Sequence, residues 1–167
     1  MNNFNEINPE NLADNPFKLI GKDWMLITAG TKESFNTMTG AWGGLGVLWY
    51  KNICFCVIRP NRYTYEFMEK CSTYTLSFLE EQYRDILTYC GTKSGRDFNK
   101  VTEAGLTPVF DKDSIYFAEA RLVLICKKIY FQDMIPAHFL DHAIDEFYPL
   151  KDYHRMYVGE IVSCLKR

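Results

Sequence analysis

Apolar runs of strand length recur along the whole chain, and no regular strand-helix alternation organises them. WMLITAG (24–30) ends on Gly30, ICFCVI (53–58) is stopped by Arg59-Pro60, and TYTLSF (73–78) alternates and is rich in β-forming residues. SIYFAEARLVLICKKIYF (114–131) is too long for one strand and carries no helical stripe, so it is expected to bend or divide near Cys126-Lys127-Lys128. MYVGEIVSCL (156–165) supplies another strand pattern. Helical patterns are fewer and shorter. In EEQYRDILTYC, Tyr83, Ile86, Leu87 and Cys90 recur at i, i+3, i+4 and i+7, with Gly91 expected as the C-terminal cap. Thr64 is expected to cap a second helix through YEFMEK, whose apolar side is Phe67, Met68 and Cys71. A third is expected near Pro136 to Phe147. The sequence lacks both the β-α-β order and the G-x-G-x-x-G turn of a doubly wound parallel sheet. The pattern predicts a mostly-β, mostly antiparallel barrel with a few short helices.

A chain of 167 residues, 47% of them hydrophobic and 16% aromatic, can fill the core of a single domain. Its net charge of -2 provides no basic face for nucleic acid, which is not expected as a partner. MNNFNEINPENLADNPF has neither the basic nor the apolar region of a secretory signal, and no apolar run is long enough to span a bilayer. A cytoplasmic protein with no membrane contact is therefore expected, with residues 1–16 as a loose arm or a covering segment. The six cysteines are scattered without a C-x-x-C pair, which speaks for reduced thiols rather than disulfides or zinc. Cys54 and Cys56 would share one strand face as small hydrophobes.

Four segments have the chemistry to bind a ligand. NTMTGAWGGLG (36–46) follows a strand with small polar residues, four glycines and Trp42. Its backbone could approach a ring closely and offer amides to it. By composition alone, a glycine-rich turn with Trp42 in the core is the plainer reading. RPNRYTYEF (59–67) sets Arg59 and Arg62 beside a helix start, as an anionic phosphate requires. A solvated loop with two surface arginines would read the same way. CGTKSGRD (90–97) offers Thr92, Lys93 and Ser94 between glycines but does not match the Walker pattern, and a helix cap followed by a turn also explains it. In DYHRMYVGEI (152–161), His154 could titrate near neutrality and donate to a ligand, or be satisfied by local backbone. His138 and His142 are four apart, as on one helix face, but have no third metal ligand at a known spacing. No side-chain nucleophile or triad stands out, so any chemistry would fall to a cofactor.

Taken in order, LITAG, NTMTGAWGG, RPNRYTYEF, CGTKSGRD and DYHRMYVGEI resemble the flavin reductase-like, FMN-binding split-barrel family, with flavoredoxin-type members the nearest comparison. The resemblance runs from about Trp24 to about Cys164. It implies a Greek-key split β-barrel, with residues 1–167 as one FMN-binding domain that forms a homodimer and holds FMN near the subunit interface. It implies that Asn36, Thr37, Met38 and Thr39 lie along the isoalloxazine and ribityl chain, and that Trp42 and Gly43 shape the ring pocket. Arg59, Arg62 and Thr64 would take the phosphate, Lys93 and Ser94 would add polar contacts, and His154 and Tyr157 would lie near the flavin. The family often reads S-G-R-D-x-D-K-F where this chain has SGRDFNKV, with Asn99 and Val101 departing from it.

The implied reaction is NAD(P)H-dependent flavin reduction by an oxidoreductase, or electron transfer with a small redox protein. A non-enzymatic FMN carrier or sensor, or a haem-binding barrel with His154 as axial ligand, are the alternatives.

Overall fold

In the computed structural model, residues 4–167 are described. β1 (Asn5–Glu6) and a 3₁₀ turn at Pro9–Asn11 lead to α1 (Pro16–Lys18), which widens into a π turn over Leu19–Asp23. Two hairpins follow: β2 (Met25–Gly30) with β3 (Phe35–Gly40), and β4 (Gly43–Leu48) with β5 (Lys51–Ile58). α2 (Tyr63–Lys70) connects to β6 (Thr73–Leu79), and α3 (Arg84–Thr92) and the single turn α4 (Lys100–Glu103) come next. β7 (Pro108–Asp111) and β8 (Ser114–Phe117) form a small hairpin before β9 (Ala120–Asp133) and β10 (Arg155–Lys166).

The main sheet is antiparallel throughout, in the order β3-β2-β6-β9-β10-β5-β4, with β1 added beside the end of β10. The fold is thus mostly β with a few short helices. Among the described residues no ladder joins β3 to β4, so the sheet is open between its two edge strands. The chain crosses that opening through Ala41 and Trp42 alone.

β2 and β6 are buried on both faces because each is covered twice. Ile27, Leu76, Phe78, Leu122 and Leu124 fill the concave side, while Leu26, Leu79 and Phe117 pack under Leu87 and Cys90 of α3. Cys54 and Cys56 both face the concave core, and all six cysteines are free thiols. Gly159 of β10 makes this packing possible. A Cβ there would lie 2.5 Å from the Tyr74 hydroxyl and 2.9 Å from Cys126 Cβ. In the space it leaves, Cys54 Sγ sits 3.3 Å from that hydroxyl and 3.1 Å from Cys126 Sγ.

Several local expectations need correction. The 114–131 segment divides at Ala118-Glu119 rather than near Cys126, because β8 turns away to pair with β7. The irregularity further on is a bulge against β10, where Val158 faces Tyr130 and Gly159 faces Lys128. The 36–46 segment is not a loop but the end of one strand and the start of the next. Gly91 lies inside α3, not beyond it. A Cβ at Gly91 would lie 3.3 Å from Thr39 Cβ, so it serves the approach of the helix to β3. Thr64 does not cap α2: Arg62 is the cap residue, and Thr64 is buried two residues further in. No helix spans Pro136 to Phe147. Two 3₁₀ turns, Pro136–His138 and His142–Phe147, separate His138 from His142.

The described part of the 1–16 segment is a covering strap, and residues 1–3 lie outside the described residues. β1 pairs with β10, Ile7 and Leu12 pack on the core, and Asp14 bridges Arg121 at 2.7 Å and Lys166 at 2.9 Å. Burial pushes the Asp14 carboxyl up, but the hydrogen bonds from Arg121 and Lys166 outweigh it and hold the pKa below the usual range. No helix among the described residues is long and apolar enough to cross a membrane.

Candidate functional site

The open edge of β3 is where the binding chemistry collects. An edge strand has alternate N–H and C=O groups with no ladder partner, so Asn36–Gly40 presents polar backbone sideways. A cavity of about 420 Å³ lies at the seam, walled by Met38, Thr39, Trp42, Val57, Arg59 and His154. That volume falls within the roughly 300–1,000 Å³ of small-molecule pockets. Met38, Asn61 and Arg62 also line a neck of about 60 Å³, whose other walls include Asn36, Thr64, Lys93, Ser94 and Lys100.

The fold holds the neck rigidly. Asn36 Nδ2 donates to Thr64 Oγ1 at 2.8 Å, tying β3 to α2 through two buried polar side chains. Arg62 donates to the Gly91 carbonyl at 2.6 Å, joining α2 to α3. Lys100 is buried and donates to the Cys90 carbonyl at 3.0 Å. Burial, with Arg62 nearby adding to the effect, brings its pKa down to about 8. Three cationic side chains therefore face one small space, an arrangement that calls for an anion.

The sequence reading missed Lys100. Its signal is the lysine of SGRDFNKV, which matches the family pattern, but nothing local shows that α4 turns it inward. The structure also separates Arg59 from the neck. Its guanidinium donates to Asp152 at 3.0 Å and to the Phe147 carbonyl at 2.9 Å, and lies over the Tyr148 ring. Arg59 thus braces the wall of the larger cavity, where Asn61 donates to the same Asp152 carboxylate.

His154 differs from expectation in its charge. Its ring packs 5.1 Å from Trp42, and its Nδ1 lies 2.8 Å from the Tyr148 hydroxyl. Burial first, and the nearby Arg59 second, bring its pKa down to about 4, so it is neutral rather than titrating near pH 7. Trp42 is half exposed, with Phe147 edge-on to it at 5.9 Å.

Three expected residues line neither space. Thr37 is buried on the other face of β3, its Oγ1 2.9 Å from that of Thr28. Gly43 packs against the Phe55 carbonyl, 2.3 Å from where its Cβ would be. Tyr157 lies in the concave core and donates to Glu69 at 2.6 Å. Burial and that carboxylate push its pKa far up. The remainder, Asn36, Met38, Thr39, Trp42, Arg59, Arg62, Thr64, Lys93, Ser94 and His154, line the cavity, the neck or both. The combination suits a flat ring with a polar edge, joined to a chain that ends in an anion.

Residues 20–166 match the family model described as the flavin reductase like domain. Solved structures with the same fold include flavoredoxin from Methanosarcina acetivorans, at 18% identity and a TM-score of 0.70 over 96% of this chain and 74% of that one. Flavoredoxin of Desulfovibrio vulgaris (Miyazaki F) is 23% identical, with a TM-score of 0.66 over 84% of this chain and 67% of that one. An FMN-binding domain of a flavin reductases-like enzyme from Shewanella baltica OS155 gives 16% and 0.72, over 98% of this chain and 77% of that one. No curated protein matches the sequence.

Proposed function

The chain belongs to the flavin reductase-like domain family, and on that basis we propose that it is an FMN-binding oxidoreductase fed by NADH or NADPH. The observation that carries this reading is the meeting of the seam cavity and the cationic neck at Met38, Asn61 and Arg62. The residues present fit the group. The unpaired edge of β3 complements the acceptors and donor along a flavin ring, and Met38, Val57 and Trp42 supply apolar walls. Arg62, Lys93, Lys100 and Ser94 complement a terminal phosphate.

A bound flavin supplies two-electron chemistry, accepting hydride from a nicotinamide and releasing electrons in pairs or singly. The chain's own residues bind, orient and exclude. His154 stays neutral at the cavity wall and adds no positive charge there. Arg59, neutralised by Asp152, leaves the anion-binding role to the neck.

The same proposal includes a homodimer. The β4–β5 hairpin exposes Val47, Trp49 and Tyr50, and Phe147 and Leu150 are exposed near the seam cavity. Large apolar side chains left exposed in two such groups favour association with a second copy. A small redox protein as electron partner and a cytoplasmic setting, which the free thiols suit, complete the reading.

The experiment is a spectral titration of the purified protein with FMN, followed by anaerobic NADH or NADPH. The proposal expects stoichiometric flavin and bleaching within seconds to minutes. Tight binding with no bleaching by either nucleotide would leave an FMN carrier. No bound flavin would end the reading.

A further inference from the structure

The segment 134–153, between β9 and β10, supplies one wall of the seam cavity, yet its only regular structure is the two 3₁₀ turns. Side-chain packing holds it where a ladder does not. Tyr148 is the centre of that packing. Its buried ring stacks on Phe139 at 6.1 Å, meets Tyr153 at 4.9 Å and carries the Arg59 guanidinium at 5.0 Å. Arg59 also donates to the Phe147 carbonyl, so the residue before Tyr148 is tied to the end of β5.

The Tyr148 hydroxyl has two acceptors within reach, His154 Nδ1 at 2.8 Å and Met134 Sδ at 3.5 Å. Burial pushes the Tyr148 pKa up, so the hydroxyl keeps its proton. An imidazole nitrogen is a better acceptor than a thioether, and here it is also the nearer one. The hydroxyl therefore donates to Nδ1. A neutral imidazole has a single N–H, and with Nδ1 accepting, that N–H is at Nε2. No hydrogen bond engages Nε2 among the described residues. Nor is it sealed from solvent, since among the described residues only Ser77 Oγ is a fully buried side-chain polar atom without a partner. The space that His154 lines is the seam cavity.

We propose that Tyr148 is a positioning residue, which fixes the His154 ring so that its Nε2–H is a neutral donor to the flavin ring in the seam cavity. The inference rests on the flavin reading of that cavity and adds to it a source of hydrogen bonds besides the β3 edge. A neutral donor suits a ring edge rich in acceptors, and it costs less to desolvate than an imidazolium. Because Tyr148 orders the ring before a ligand arrives, binding does not bear that cost. Arg59 acts one step further back, by holding Tyr148.

Two measurements on the full-length protein test this. Long-range proton–nitrogen NMR of the apoprotein at neutral pH should show His154 as one form, protonated at Nε2 with Nδ1 hydrogen-bonded. In Tyr148→Phe the Nδ1 resonance should move to that of a free ring nitrogen. Fluorescence titration of the same variant should show FMN and riboflavin weakened in parallel, about three- to tenfold, as for one lost hydrogen bond. His154→Gln, which keeps an N–H near the Nε2 position, should retain more affinity than His154→Phe. That pair and the wild-type spectrum decide the matter if Tyr148→Phe does not fold. A wild-type ring protonated at Nδ1, unchanged flavin affinities in Tyr148→Phe, or equal loss in the two His154 variants would overturn the proposal. So would weakening confined to FMN, which would put the effect at the phosphate. A protein that takes up neither flavin while His154 shows the expected ring form would instead overturn the flavin reading itself.

Discussion

Lys100 is the residue whose environment departs furthest from its sequence appearance. A lysine beside Asn99 in a charged stretch looks solvated, yet it is buried with its ammonium on the Cys90 carbonyl. With a pKa of about 8 it is cationic below that pH and neutral above it. FMN affinity should therefore fall about three- to tenfold between pH 7 and pH 9, while riboflavin, which has no phosphate, should show no such fall. Lys100→Met should weaken FMN at pH 7 and remove the dependence, as read by fluorescence titration across pH. Gly159 is the second such residue. Its alanine variant would push a methyl group into the Tyr74 hydroxyl and Cys126, costing about 2 kcal/mol in urea denaturation with the flavin site unaltered. Neither role was legible locally. Motif order was enough to bring Asn36, Met38, Arg62 and Lys93 into one reading, but the pairing of Arg59 with Asp152 joins residues 93 positions apart. Only the folded chain reveals that kind of commitment.

At the scale of elements, the strands were legible because burial forces apolar side chains into them, and their ends were marked by Gly30 and Arg59-Pro60. The helices were less so, because they are short and their caps were reassigned by packing: Thr64 faces Asn36, and Gly91 faces Thr39. One element shows strain the sequence did not announce. The β4–β5 turn places Trp49 and Tyr50 at φ of 51° and 56°, the left-handed region where Asn and Gly are preferred. Both side chains are exposed. Trp49→Asn with Tyr50→Gly should stabilise the isolated chain by about 1–2 kcal/mol in chemical denaturation. If the exposed aromatics serve association, the same double variant should shift sedimentation toward monomer.

For the whole molecule, the response to acid follows from His154. Its pKa of about 4 in the fold lies below the ordinary 6.5, so between those values the unfolded chain binds the extra proton. The contribution of the neutral imidazole is complete above pH 6.5 and is lost as pH falls from there toward 4. The carboxylates of Asp14, Asp133 and Asp152, held below their usual range, act in a lower window, below about pH 4. Tm should therefore decrease by about 5 °C between pH 7 and pH 5, and His154→Gln should flatten that limb in calorimetry.

The unjoined margin between β3 and β4 has a consequence for the protein before it meets any small molecule. Bare strand margins are templates on which other chains can add, and among the described residues this open sheet ends in β3 and β4, linked only through Ala41 and Trp42. A guest that occupies the gap would act as a plug as well as a reagent. The empty form, concentrated and warmed, should be the one that clumps, and light scattering with and without flavin would register the difference.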